Sequence, residues 1–437
     1  MTGTTAPGPR GKPFIGDILA YQADRIGWLA ANRERYGDVV RLAPKIVVVH
    51  DSELAHEVLA ATDEQYTVDA AFRSDSRERR ALEAYLANWM RVRREVWKSV
   101  AHRLTRVHVE RFAAQLAAGL GQQANQNLDV LATGRRLLGR AIVDFCVGAE
   151  PDRTVLDTLY GAADELFQTA LRALVGGEGR VRWARRPAAR AAVAANDRLL
   201  ALLGELVARR TAGRREAEPR DLLDALLDQP GPDEPVEHTV SVLRTIMFAS
   251  HGVPGTAVAW IALLLAEHPA AASSVAEEAA GLSLGQTDIV EALPFTTAVV
   301  RETLRLYPPQ WLLTRTASAP TAVGGYRIPA GCEVLICPYL IHRDPRWWDR
   351  PEQFEPSRWL GREQPHARYA YLPFGAGPRI CPGSQLAIAH LTVLTALLAR
   401  DYDLRLPRLA NMPMSSEGLL VPEALFGGWW SRDRVHT

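Results

Sequence analysis

Apolar residues recur at three- and four-residue intervals through most of the chain between about Asp51 and Leu306, as at Leu199, Leu202, Leu203 and Leu206. That spacing predicts helices. Strand-like segments, with β-branched residues between Gly and Pro punctuation, are confined to Val39 to Val49 and Tyr326 to Ile341. Pro, Gly and Asp cluster at Gly176 to Gly179 and at Gln229 to Pro235, which reads as two loops between helices. Neither loop separates stretches of different composition, and there is no internal repeat. The pattern predicts a mainly α chain with a small β portion (α+β), folded as a single large domain over residues 1–437.

Composition narrows the class. Hydrophobic residues make up 47% and charged residues 23% of the 437, the balance of a globular protein with ample core. The 51 Lys and Arg against 50 Asp and Glu leave +1, so net charge does not advertise a nucleic-acid partner. The only lysines are Lys12, Lys45 and Lys98; the abundance of arginine follows a compositional bias. An Arg-rich run from Arg180 to Arg190 reads as a solvated face, with a polyanion site as its alternative. Four cysteines, Cys146, Cys332, Cys337 and Cys381, are too few for a disulfide framework and point to a reducing cytoplasm. The polar first ten residues lack the apolar core of a secretory signal, and the apolar stretch Ala257 to Ala266 is short of the roughly 18 residues of a membrane span. A soluble protein is predicted.

One cysteine stands in a context suited to chemistry. In Tyr371-Leu-Pro-Phe-Gly-Ala-Gly-Pro-Arg-Ile-Cys-Pro-Gly383 the thiol precedes an apolar helical stretch that runs to about Leu398. Pro382 suits a first helical turn, and Gly383 lets another group approach the backbone closely. Sulfur at a helix N-terminus is stabilised as a thiolate, a good metal ligand.

This string resembles the heme-binding loop of the cytochrome P450 family: Phe374, Gly377, Arg379, Cys381 and Gly383 fill the family's F-x-x-G-x-R-x-C-x-G signature. Glu302-Thr-Leu-Arg305 matches its E-x-x-R, a pattern that is weak alone but here lies 381 − 305 = 76 residues before the cysteine and is followed by Tyr307-Pro-Pro309. Gly325 to Gly331, His342-Arg-Asp-Pro345 and Phe354-Glu-Pro-Ser-Arg358 resemble the small sheet and the meander before the loop. The resemblance implies the P450 fold, a heme b held by Cys381 through residues 371–383, and propionates met by cations or donors. Trp89 and Arg93, in Trp89-Met-Arg-Val-Arg93, Arg315 and Arg379 match the family's propionate positions, while Phe374, Gly383 and Ala249 complete the heme surround.

The chain departs from the family on the distal helix, expected at about 240–267. Ala249-Ser-His-Gly-Val-Pro-Gly-Thr256 lies over the family's A-G-x-[D/E]-T, so Ser250 stands for the glycine, Gly252 for the acid and Val253 for the threonine. The acid–alcohol pair that relays protons to dioxygen is missing. Pro254 has no N–H for the carbonyl of Ser250 and its ring clashes there, which predicts a kink. One reading is a plain break between two helices. The other is a widened groove with protons from Ser250, His251, Thr256, water or the substrate.

The resemblance therefore implies a P450 oxidoreductase of bacterial specialised metabolism, oxidising an apolar or aromatic small molecule by hydroxylation or by oxidative ring closure or coupling. Electrons would come from a ferredoxin or flavodoxin with its reductase, since the chain has no reductase segment; Arg91, Arg94 and Arg103 are either a docking patch or a solvated face. Peroxide dependence and a heme-binding sensor without turnover are the alternatives. Val253 stands where the family's fatty-acid peroxygenases carry an arginine, which counts against a carboxylate-directed peroxygenase. The implied state is a cytoplasmic monomer that binds neither nucleic acid nor membrane.

Overall fold

The computed structural model describes residues 4–12, 16–68, 108–148, 152–175, 186–213, 219–228, 236–284 and 288–432. It divides into two compact units, one of Met1–Arg79, Arg301–Ser384 and Ser415–Leu420, the other of Arg80–Val300, Gln385–Met414 and Val421–Thr437.

The first unit is built on a five-stranded sheet. Its strands are β1 (Val39–Ala43), β2 (Ile46–Val49), β3 (Tyr66–Thr67), β5 (Leu313–Ala317) and β8 (Glu333–Ile336), in the order β1-β2-β8-β5-β3. The run Ile-Val-Val-Val of β2 is β-branched throughout, as suits a strand buried between neighbours, and it pairs parallel to β8 with Val48 opposite Leu335. β6 (Thr321–Val323) and β7 (Tyr326–Ile328) form a separate hairpin. Gly324 and Gly325, at φ of 55° and 81°, make the tight turn that only residues tolerant of positive φ allow. Three helices flank the sheet in sequence: α1 (Ile18–Ala23), α2 (Arg25–Tyr36) and α3 (Ser52–Ala60). Asp51 starts α3 by accepting from the backbone N–H groups of Glu53 and Leu54. Val39, Val49, Val58, Leu59, Ile336 and Trp348 are the centre of this unit's core.

The second unit is helical: α4 (108–122), α5 (Val130–Val147), α6 (Arg153–Val175), α7 (Arg186–Ala212), α8 (Leu222–Asp228), α9 (Val236–His251), α10 (Val253–Glu267), α11 (Pro269–Ala279), α12 (Ile289–Ala292) and α15 (Ser384–Asp401). Leu199 and Leu203 of the predicted Leu face are fully buried against Phe145, Leu159, Leu243 and Met247. Two more helices, α13 (Pro294–Leu306) and α14 (Pro338–Ile341), complete the described set. The stretch Val236–Glu267, with a mean hydropathy of 1.5 over its most apolar window, has the length and composition to cross a membrane, but most of that window is buried inside the protein, as in a core helix.

The strand pattern is corrected in one respect. Tyr326 to Ile341 holds two strands and then α14, and further strands occur outside both predicted segments: β3, β5 and β6 of the first unit, and β4 (Leu128–Asp129), β9 (Tyr402–Arg405), β10 (Met414–Ser415), β11 (Val421–Pro422) and β12 (Phe426–Ser431). Most of these are two to four residues long and depend on distant partners, as where β12 lies between β4 and β9, so local alternation carries no signal for them. The loops Gly176 to Gly179 and Gln229 to Pro235, and most of the Arg-rich run, lie outside the described residues.

Candidate active site

The cysteine loop is shaped by its glycines. Gly375 and Gly377 both sit at φ of 70°, and a Cβ on Gly377 would come within 2.1 Å of the Leu59 carbonyl oxygen, so position 377 admits no side chain. The turn closes with the Cys381 N–H donating to the Phe374 carbonyl at 2.8 Å, across a short 3-10 turn at Gly377–Arg379. α15 begins at Ser384, so Pro382, expected in the first helical turn, lies in a turn just ahead of the helix.

A buried ion pair anchors this loop to α13. Arg305 meets Glu302 twice, Nε to Oε2 and Nη2 to Oε1, each at 2.9 Å, and both side chains are fully buried. Glu302 also accepts from the Glu355 N–H, Arg358 Nε and Trp359 Nε1, while Arg305 donates to the carbonyls of His342, Pro351 and Gln353. His342 carries the link onward. Its Nε2 accepts from the Leu372 N–H at 2.8 Å, so Nδ1 bears the proton and donates to the Arg305 carbonyl at 2.9 Å. Burial depresses the pKa of His342 to about 3, which keeps it neutral and fixes this tautomer. The predicted E-x-x-R pair is therefore in contact, joined to the loop through one histidine.

The four cysteines differ in setting. Cys146, Cys332 and Cys337 are buried, and burial raises all three thiols, Cys332 to about 11 and Cys337 to about 12. Cys381 alone is partly exposed. A Cβ on Gly383 would point beside Cys381 Sγ, 3.9 Å away, with no other protein atom within 4 Å. That leaves open space over the backbone beside the thiol, room in which a flat cofactor would fit.

Two guanidinium groups stand together near the loop. Arg315, only 6% exposed, donates through Nε to Thr62 Oγ1 at 2.8 Å and through Nη1 to the Thr314 carbonyl at 2.9 Å. Arg379 pairs with Asp63, Nη2 to Oδ1 at 2.7 Å. Burial, and then the charge of Arg379, lower the pKa of Arg315 to about 10. Two cations sharing one carboxylate suit a ligand that brings further negative charge, as the propionates of a heme do. The donor set thus fits the implied cofactor. Trp89 and Arg93, and with them Arg91, Arg94 and Arg103, lie outside the described residues.

In the other unit the distal helix is broken where the sequence predicts it, α9 ending at His251 and α10 starting at Val253 with Pro254 in its first turn. Ala249 is exposed, Ser250, Val253 and Pro254 are half-buried, and His251, Gly252, Gly255 and Thr256 are buried. The three proposed proton donors are placed differently. His251 is 1% exposed; its Nε2 meets Asp164 Oδ1 on α6 at 2.9 Å, and its ring lies 4.9 Å from that of Tyr160. Thr256 is fully buried and its hydroxyl donates to the Gly252 carbonyl at 3.0 Å. Ser250 keeps part of its surface free. The hydrogen bond from His251 holds the Asp164 carboxyl below the usual range. Asp164 had no sequence signal, because its partner lies 87 residues away and neither residue belongs to a shared motif.

Comparison with known proteins agrees with this geometry. The sequence profile described as Cytochrome P450 matches residues 6–426. Cyclooctat-9-en-7-ol 5-monooxygenase of Streptomyces melanosporofaciens is 28% identical over 430 residues, covering 92% of this chain and 90% of its own. Cyclooctatin synthase of the same organism is 33% identical over 220 residues, 48% of each chain, so the match spans about half of that relative. Among solved structures, the heme domain of cytochrome P450DA superposes with a TM-score of 0.80 at 20% identity, covering 99% of both chains. The retinoic acid-bound cyanobacterial CYP120A1 gives 0.78 at 18%, covering 99% of this chain and 100% of its own. At those identities the structural matches speak for the fold alone.

Proposed function

The chain belongs to the cytochrome P450 family, and from that premise we propose a heme-thiolate oxygenase of bacterial specialised metabolism that oxidises an apolar cyclic alkene or alkenol. The observation that carries this is the Cys381 loop, whose partly exposed thiol, the other three cysteines being buried, lies beside a glycine with open space over its backbone. The substrate class draws on the relative whose name makes its substrate an alkenol. Heme b is the cofactor, with residues 1–437 acting as one P450 domain.

Cys381 would ligate the iron, with Phe374 and Gly383 beside it; Ala249 belongs to the heme surround by resemblance alone. Arg315 and Arg379, with Trp89 and Arg93 by resemblance, would meet the propionates. When bound, the heme supplies activation of dioxygen and the oxidising equivalent. The chain's own work is to hold that group, exclude bulk water and deliver protons. Of Ser250, His251 and Thr256, only Ser250 has a side chain that the described hydrogen bonds leave uncommitted, so Ser250 together with the substrate's own hydroxyl is the favoured relay. With the acid–alcohol pair absent, oxidative ring closure or coupling stands beside hydroxylation as an outcome. Electrons would arrive from a separate ferredoxin or flavodoxin in the cytoplasm, with the enzyme as a monomer.

The test is turnover of a panel of cyclic alkenes and alkenols by the holoenzyme with ferredoxin, its reductase and labelled dioxygen. Incorporation of one labelled oxygen atom supports hydroxylation, and an oxidised product without label supports closure or coupling. Binding of carbon monoxide and nitric oxide with no product from any substrate would overturn the enzyme reading in favour of a sensor.

A further inference from the structure

The missing acid of the distal helix has left no gap. A Cβ built on Gly252 would lie 1.9 Å from Cζ of Phe167, 2.4 Å from its Cε1 and 2.6 Å from its Cε2. The ring of Phe167, carried in from α6, therefore fills the volume that any side chain at position 252 would need. It is not free to swing aside. Phe167 is 8% exposed, with Phe248 at 6.2 Å and His251 at 5.9 Å between ring centroids, and the Arg135 guanidinium at 5.9 Å from its ring.

We propose that Phe167 takes the place of the distal acid and is a specificity-determining residue, turning the helix break into an apolar wall that selects substrates by bulk. An aspartate or glutamate at 252 would present charge and hydrogen-bonding oxygens; the phenyl ring presents neither and displaces the water such a group would hold. A wall of this kind discriminates by shape and buried apolar area, because a phenyl ring cannot reward a hydrogen bond. Gly252 and Phe167 are coupled: position 252 admits no side chain while the Phe167 ring stays where it is. The role in specificity rests on the proposal above that the break borders the substrate; the exchange of acid for ring does not.

Two measurements on the holoenzyme separate those levels. The first is the thermal midpoint of Gly252→Ala in the parent and in Phe167→Ala. In the parent the new methyl meets the ring and the midpoint falls; without the ring that clash is gone, and only the smaller cost of alanine for glycine at the start of α10 remains. An equal shift in both backgrounds overturns the proposal. Phe167→Leu replaces the alanine variant should that one not fold. The second is binding of imidazole and 4-phenylimidazole, read from the Soret band. Phe167→Ala should tighten 4-phenylimidazole relative to imidazole by about tenfold, the scale of a change in one apolar subsite. An unchanged ratio beside a clear difference in the stability effect between the two backgrounds would leave the exchange standing, remove the break from the ligand site and overturn the specificity role.

Discussion

Asp164 on α6 holds the imidazole of His251, a residue 1% exposed at the end of α9, through a hydrogen bond of 2.9 Å. This bond ties the break in the distal helix to a helix 87 residues earlier in the chain. It also explains why a histidine well placed in the sequence for proton delivery is occupied by a structural partner.

The link has a pH signature. The hydrogen bond from His251 holds the Asp164 pKa below its ordinary value, so its stabilisation is full above the unfolded-state pKa and is lost as pH falls through the folded one. The carboxylate side chain is 38% exposed, so Asp164→Ala is expected to cost only about 1 kcal/mol near neutral pH. Thermal midpoints measured from pH 7 down to below the carboxylate range should show the wild type and Asp164→Ala converging at the acid end. A gap that stays constant with pH would assign the effect to packing alone.

Glu302→Ala should be far more damaging. It leaves the fully buried Arg305 cation without its carboxylate and strips acceptors from Arg358 and Trp359. Removing one partner of a buried pair costs about 3–5 kcal/mol. Denaturant unfolding measures the loss, and heme release should accompany it, since the same network reaches Leu372 through His342. A loss below about 1 kcal/mol would mean that the pair is not the anchor its geometry describes.

These elements differ in how far the sequence disclosed them. Glu302 and Arg305 share one helix face, so their pairing follows from spacing, whereas the three further donors to Glu302 come from residues 53 to 57 positions on, beyond any local pattern. The break at Gly252 was legible because proline has a fixed backbone effect. Phe167 in the space over Gly252 was not, because α6 and α9 meet only through tertiary packing. The short strands near the C-terminus were equally silent, their pairing being set by partners elsewhere in the chain.

Cys381→Ala should abolish the red-shifted Soret band of the reduced carbon monoxide complex, the signature of thiolate ligation. Alanine at Cys146, Cys332 or Cys337 should leave it, since those thiols are buried and burial disfavours their thiolates. Persistence of the band in Cys381→Ala would move the ligand elsewhere and undo the assignment of the loop.

Arg315→Ala and Arg379→Ala, and Arg93→Ala by resemblance, should each speed heme loss to apomyoglobin, because on the proposed assignment each would remove positive charge facing a dianionic edge. Arg209, 75% exposed on α7 beside Glu205, provides the control. Arg315 should give the largest effect, being the more deeply buried cation and the one without a carboxylate in its described hydrogen bonds. Equal rates in the control and the site variants would remove these arginines from the propionates.

Val253→Thr should not raise the product formed per electron consumed. In a typical family member the threonine guides protons to dioxygen, so its loss sends electrons into peroxide; on the function proposed above, a chain with valine there and glycine at 252 would deliver protons by another route. Restoring the hydroxyl restores only half of a pair whose other half is excluded by the Phe167 ring. Thr256, three residues on, is no surrogate: it is fully buried and its hydroxyl is held by the Gly252 carbonyl at 3.0 Å. Thr256→Val should accordingly lower stability by about 1 kcal/mol, the worth of one neutral hydrogen bond, and leave coupling unchanged. Coupling is read as product against reduced nicotinamide consumed, with peroxide measured in parallel. A marked gain in Val253→Thr would show that the absent alcohol is a simple deficit and would withdraw the support for substrate-assisted or radical-coupling chemistry. A loss of coupling in Thr256→Val out of proportion to its stability would instead return that hydroxyl to the proton path.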